Sequence, residues 1–315
     1  MDGVKTRGSL FVDGGKRLMA AKPHLVTLYI ANLIFGWFAA FGLSAQVGAV
    51  TGTSLYSERL VRGFDLGVFL DLINRPEVTP YSQVPVALAL SALFVVFLLF
   101  LTGGITTQYL SNTAGIGRSR FYAACGENFW QLVRLALVLI VVAGLVGGML
   151  QAIRAGLDSA TDNSPHYRAG LVLQSAMFVI QALAVLWVRM WFDLAQTQLI
   201  ATGARRIRPS IGYGFKSARR AFELYGSYVL LGIVTAIVVA LGLFVWWTEA
   251  PASPVIISFL ILQSTLACLL VFRWWQRAIA AAWYERNIPL PVAIESVSSA
   301  PLPAESAVPE MPLSQ

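Results

Sequence analysis

A chain of 315 residues that is 57% hydrophobic and only 12% charged, with a mean hydropathy of +0.68, has about half the charged fraction of a soluble domain. No sizeable soluble unit fits between its apolar stretches, so a nucleic-acid-binding groove is excluded as the reason for the net charge of +7; membrane orientation explains that charge. Two cysteines, Cys125 and Cys268, make neither a disulfide framework nor a thiolate metal site.

Residues 1–24 are read as a basic N-terminal segment carrying Lys5, Arg7, Lys16, Arg17 and Lys22. Leu25 to Ala45 is then the first of six apolar stretches; the others are 84–105, 132–150, 169–192, 228–247 and 255–275. Each is near the roughly 20 residues with which a helix crosses a hydrocarbon core of about 30 Å. The predicted fold class is therefore all-α: a polytopic membrane helix bundle over 25–285, with six transmembrane helices and short amphipathic interfacial helices. The basic start and Leu43-Ser44-Ala45 imitate a signal peptide. A leader of about 24 residues and an apolar run of about 20 exceed that pattern, so a retained span is expected.

Three surface helices are expected between the spans. Leu60, Phe64, Val68 and Leu72 recur every fourth residue over Tyr56 to Ile73, with Glu58 and Arg62 spaced as an i,i+4 pair. Arg118 to Trp130 sets Phe121, Phe129 and Trp130 beside Arg118 and Arg120. Phe215 to Tyr225 sets Phe215, Ala218, Phe222 and Tyr225 on one face, with Lys216, Arg219 and Arg220 off it. Residues 286–315, rich in Pro and Ser, are expected to be a disordered cytoplasmic tail.

Eighteen of the 23 Lys and Arg fall on one side of the six-span layout and five on the other. Positive-inside places both termini in the cytoplasm, in a multi-pass protein of the plasma (inner) membrane. With Arg205, Arg206, Arg208, Lys216, Arg219 and Arg220 together around the fourth connection, anionic phospholipid headgroups are the expected partner there.

Chemistry-bearing residues are sparse. Arg189 and Asp193 stand four apart where the fourth span ends, which predicts a same-face charge pair; a proton or solute path is the functional reading, a snorkelling pair the structural one. Gln174, Ser175 and Gln181 in the fourth span, with Gln263, Ser264 and Thr265 in the sixth, suit interhelical bonds. Gly144, Gly147 and Gly148, with Ala143, predict a face for close approach of another helix, from this chain, a second copy or another membrane protein. Asp158, Asp162 and His166 have ligand-like spacing, but Asn163-Ser164-Pro165 breaks the helix that would align them, so no metal is expected. Gly115-Ile116-Gly117 and Gly212-Tyr213-Gly214 lack a preceding strand and read as flexible joints; no cofactor is expected. Trp130, Trp187, Trp191, Trp246, Trp247, Trp274, Trp275 and Trp283 cluster near span ends, as aromatic belts do.

The segments 121–135 (FYAACGENFWQLVRL) and 193–197 (DLAQT), followed by a basic loop with 218–222 (ARRAF), resemble uncharacterised bacterial six-span inner-membrane proteins. The layout is similar to the membrane domain fused to some glycerophosphoryl diester phosphodiesterases. That resemblance, over about residues 16–283, implies the span arrangement but not the activity, because the His-Arg start of the soluble barrel is missing. Function is expected to be that of a non-catalytic membrane module or partner subunit, with a small-solute or lipid permease as the alternative.

Overall fold

A computed structural model describes residues 9–52, 67, 70, 71, 74, 78, 80–111, 116–161, 167–249 and 255–288. Among the described residues every regular element is a helix: α1 Leu10–Ala20, α2 Lys22–Thr51, α3 Pro80–Ser111, α4 Arg118–Thr161, α5 Tyr167–Thr202, α6 Ile207–Ala218, α7 Phe222–Glu249 and α8 Val255–Asn287. Six of them, α2, α3, α4, α5, α7 and α8, are long and apolar enough to cross a membrane. The predicted surface helix over Tyr56 to Ile73 falls almost wholly outside the described residues, as do Asp162, His166 and the Pro-rich tail beyond residue 288.

The spanning helices overshoot a bilayer. With 44 residues, α4 is about 66 Å long, roughly twice the hydrocarbon thickness. The surface helix predicted at Arg118 is thus the first part of α4 itself, continuous with the span. Likewise α8 does not stop near Trp275 but continues to Asn287. Both overshoots lie at the end of the bundle where α1, α6 and the last turns of α8 gather their Lys and Arg, here called the basic end.

The core is at that end too. Its three apolar clusters draw on Leu10 to Leu28, Leu101 to Leu110, Phe121 to Leu135, Val188 to Ala201, Ala218 to Leu231 and Trp274 to Tyr284. No described residue in 29–77, 79–98, 136–187 or 232–273 is buried. Lipid is as apolar as Leu, so helices associate inside it only through small residues and polar bonds. The distal halves hold few of these: Gly242 lies against Thr265, Gly232 against Leu186, and Tyr29 Oη donates to Gln263 Oε1 at 3.2 Å.

The segment read as a basic N-terminal stretch contains a packed helix. On α1, Leu10, Gly14 and Leu18 form one buried stripe at four-residue spacing. A Cβ at Gly14 would sit 2.4 Å from Ile279 Cγ1, so only glycine admits α8 this closely. Arg17 binds Glu285 and the Tyr109 carbonyl, Arg286 binds Asp13, and Trp275 Nε1 donates to the Phe11 carbonyl at 3.2 Å. His24, near the start of α2, stacks on Phe121 of α4 with ring centroids 3.8 Å apart.

Gly203, at φ +59, carries the turn out of α5 in a conformation that disfavours side chains with a Cβ. Pro209 then sits in the first turn of α6, where its missing N–H leaves no helical bond unmade. Two sequence expectations fail here. Gly212-Tyr213-Gly214 is not a flexible joint but the interior of α6, and Gly214 lies where a Cβ would be 2.7 Å from the Trp191 carbonyl. The helix expected over Phe215 to Tyr225 is broken at 219–221, because the chain turns there from α6 into the span α7.

Candidate functional site: a buried carboxylate at the basic end

On α5 the run from Val188 to Leu199 turns Met190, Asp193, Leu194 and Thr197 inward, and Asp193 is only 2% exposed. A lone ionised carboxylate at that burial would cost several kcal/mol, about as much as any single favourable contact in the fold can supply, so it requires partners. Arg273 of α8 supplies a fork: Nη1 donates to Oδ2 at 2.7 Å and Nη2 to Oδ1 at 2.8 Å. Tyr228 of α7 donates its hydroxyl to Oδ2 at 2.8 Å. Arg277, one turn further along α8, lies with Nε 3.5 Å from Oδ1. The planar guanidinium matches a carboxylate in two bonds at once, so the Arg273–Asp193 contact fixes orientation as well as charge.

A second layer holds these groups. Arg277 Nη1 donates to Thr102 Oγ1 on α3 at 3.2 Å, and its guanidinium lies 4.6 Å from the Trp274 ring centroid. Gln276 Nε2 donates to the Tyr228 carbonyl at 3.4 Å, and its Oε1 accepts from Arg273 Nη1 at the same distance. The cluster ties α3, α5, α7 and α8 together. Two guanidiniums meet one carboxylate, leaving one positive charge in surplus.

Asp193 does not pair with Arg189. Arg189 is exposed, and it makes no hydrogen bond or ion pair with Asp193. Two cations buried beside the carboxylate from α8 outcompete one that reaches water along its own stem. The sequence placed Arg273 and Arg277 only among the inside charges, and Tyr228 only as the start of a span. The usable signal was an Arg pair four apart at the end of an apolar helix, enclosing Trp274 and Trp275, since ionisable groups at such depth are rare unless partnered.

The other expected residues scatter. Arg205, Arg206, Arg208, Lys216, Arg219 and Arg220 are all exposed on and around α6. Beside them, burial pushes the Tyr213 phenol up from its ordinary range, opposed by a hydrogen bond with Ser217. Among the described residues Gly144, Gly147 and Gly148 meet no other helix, since nothing lies within 4 Å of where their Cβ atoms would be. Trp274 belongs to the core rather than an aromatic belt, being 1% exposed.

The class defined by this fold is an integral membrane protein with six candidate spans. No protein-family model, curated protein or solved structure matches the chain.

Proposed function

We propose that the protein is a non-catalytic membrane module, a partner subunit or scaffold of the plasma (inner) membrane, with both termini in the cytoplasm and its basic face toward anionic phospholipid. One observation carries this reading. Asp193, the one buried carboxylate among the described residues, takes three hydrogen bonds from Arg273 and Tyr228 of its own chain and has Arg277 3.5 Å from Oδ1, so the carboxylate is committed to tying helices together. The charge asymmetry supports the orientation, with eighteen of 23 Lys and Arg on one side of the six-span layout. The resemblance to six-span membrane domains agrees with a module that serves a separate functional partner.

The permease alternative has one observation in its favour: Arg277, which carries the surplus positive charge, and the neighbouring buried Tyr109 each hold a polar atom, Nε and the hydroxyl, without a hydrogen-bond partner. An anionic solute would suit such groups. The two readings separate in a strain lacking the protein, complemented with Asp193→Asn combined with Arg273→Gln. A module keeps its phenotype when the double variant is folded and present at wild-type levels. A folded double variant that loses the phenotype overturns the module reading.

A further inference from the structure

At the corner where α5, α6 and α7 meet, two depressions adjoin. One, of 480 Å³, is lined by Phe215, Lys216, Arg219 and Arg220. The other, of 680 Å³, is lined by Leu183, Ala184, Trp187, Ala218, Phe222 and Tyr225, with Arg219 again at its edge. The first is cationic: Lys216, Arg219 and Arg220 are exposed, and none joins the ion pairs found among the described residues. The second is apolar and leads into the membrane. Because α5 runs toward the basic end and α7 away from it, Leu183 lies deeper than Trp187, and Tyr225 deeper than Phe222.

The walls are held in place. Phe215 packs edge-on against Trp187 and Trp191, with centroids 5.6 and 5.1 Å apart. Tyr225 Oη donates to the Leu183 carbonyl at 3.1 Å, fastening α7 to α5 along the groove floor. A cationic mouth therefore opens directly onto an apolar slot with anchored walls, where the chain passes from α6 into α7. That order of polarity, charge outside and hydrocarbon inside, is the order within a phospholipid molecule.

We propose that this corner binds one anionic phospholipid, its phosphate and headgroup charge between Lys216, Arg219 and Arg220 and an acyl chain along Leu183, Ala184, Phe222 and Tyr225. A soluble phosphate compound would fill only the first depression, and a neutral lipid would gain nothing from the three cations. Arg219, bordering both, sits where the glycerol-phosphate joins the chains. The site deepens the reading of the basic face as lipid-directed, yet it is measurable in detergent without regard to orientation, so its failure would leave the module reading standing.

The test is native mass spectrometry of the full-length protein in mild detergent, titrated with phosphatidylglycerol and with phosphatidylcholine of the same acyl chains. The wild type should retain phosphatidylglycerol preferentially. The triple substitution Lys216→Ala, Arg219→Ala and Arg220→Ala should weaken it by on the order of 100-fold at low salt, at roughly fivefold per basic residue. Substituting Arg205, Arg206 and Arg208 by Ala should have a much smaller effect. Ala184→Trp, which fills the slot, should weaken phosphatidylglycerol without changing binding of soluble glycerophosphate; if that variant does not fold, the exposed Arg219→Glu is the second probe and should also lose the lipid. Equal losses in the two triple variants would show diffuse attraction and overturn the site. So would equal retention of the two lipids, or an acidic peptide binding at the mouth that phosphatidylglycerol does not displace.

Discussion

Asp193→Asn is the perturbation with the most definite expected outcome. The carboxylate is 2% exposed and receives bonds of 2.7, 2.8 and 2.8 Å from Arg273 and Tyr228. Asparagine keeps the volume but turns one oxygen into an NH2 facing a guanidinium, leaving Arg273 and Arg277 mutually repelling without their anion. Breaking a buried pair in this way costs about 3–5 kcal/mol. The Arg273 side chain is 27% exposed, and the remaining Asn carbonyl still accepts from Tyr228, worth about 1 kcal/mol; the expected loss is therefore about 2–3 kcal/mol. Unfolding in detergent micelles measures it. In a double-mutant cycle, Arg273→Gln should couple to Asp193→Asn by about 2 kcal/mol and Arg189→Gln by less than about 0.5 kcal/mol. The reasoning fails if Asp193→Asn is within about 0.5 kcal/mol of wild type, or if Arg189 couples as strongly as Arg273.

Four further outcomes are expected. Gly214→Ala should destabilise by about 1–3 kcal/mol because its Cβ meets the Trp191 carbonyl at 2.7 Å, whereas Gly212→Ala, two residues earlier with nothing within 4 Å, should stabilise by about 0.5–1 kcal/mol through helix propensity; melting curves of the pair check both signs. Leu10→Ala, at a position 3% exposed, should cost about 2–5 kcal/mol, a loss that an unpacked leader would not show. Leucine at Gly144, Gly147 and Gly148 together should leave the monomer's melting unchanged, and a change in oligomeric state by cross-linking would show that the face meets a second copy. A cysteine placed at Gly212 should resist an impermeant thiol reagent added outside intact cells and react after the cells are opened; labelling from outside would refute the cytoplasmic orientation.

The six spans were legible because a bilayer imposes a length and an apolar composition that any contiguous stretch must display. Everything set by contact between distant segments was not. Asp193 was visible as an ionisable residue at a span end, but its partner lies 80 residues away on α8, and the four-residue spacing to Arg189 offered a closer and false candidate. The packed α1 was hidden by Gly14 and Gly15, poor helix formers whose purpose shows only when Ile279 is seen against Gly14. In the same way Gly214 read as a joint, while Gly144, Gly147 and Gly148, with the stronger local pattern, meet nothing among the described residues. Small residues announce that a close approach is permitted and leave open where it happens.

Burial concentrated at one end, with Val78 the one buried residue away from it among the described residues, turns the bundle into a set of levers. From Gly232 to Glu249, α7 runs about 27 Å beyond its last buried residue, so a tilt of about 5° at the tied end moves the far tip by about 2 Å. Few side-chain bonds oppose such a tilt, and the spacing of the far tips is set by the surrounding hydrocarbon. Membrane thickness then acts as a conformational variable: a thinner bilayer favours splayed helices and a thicker one draws them upright.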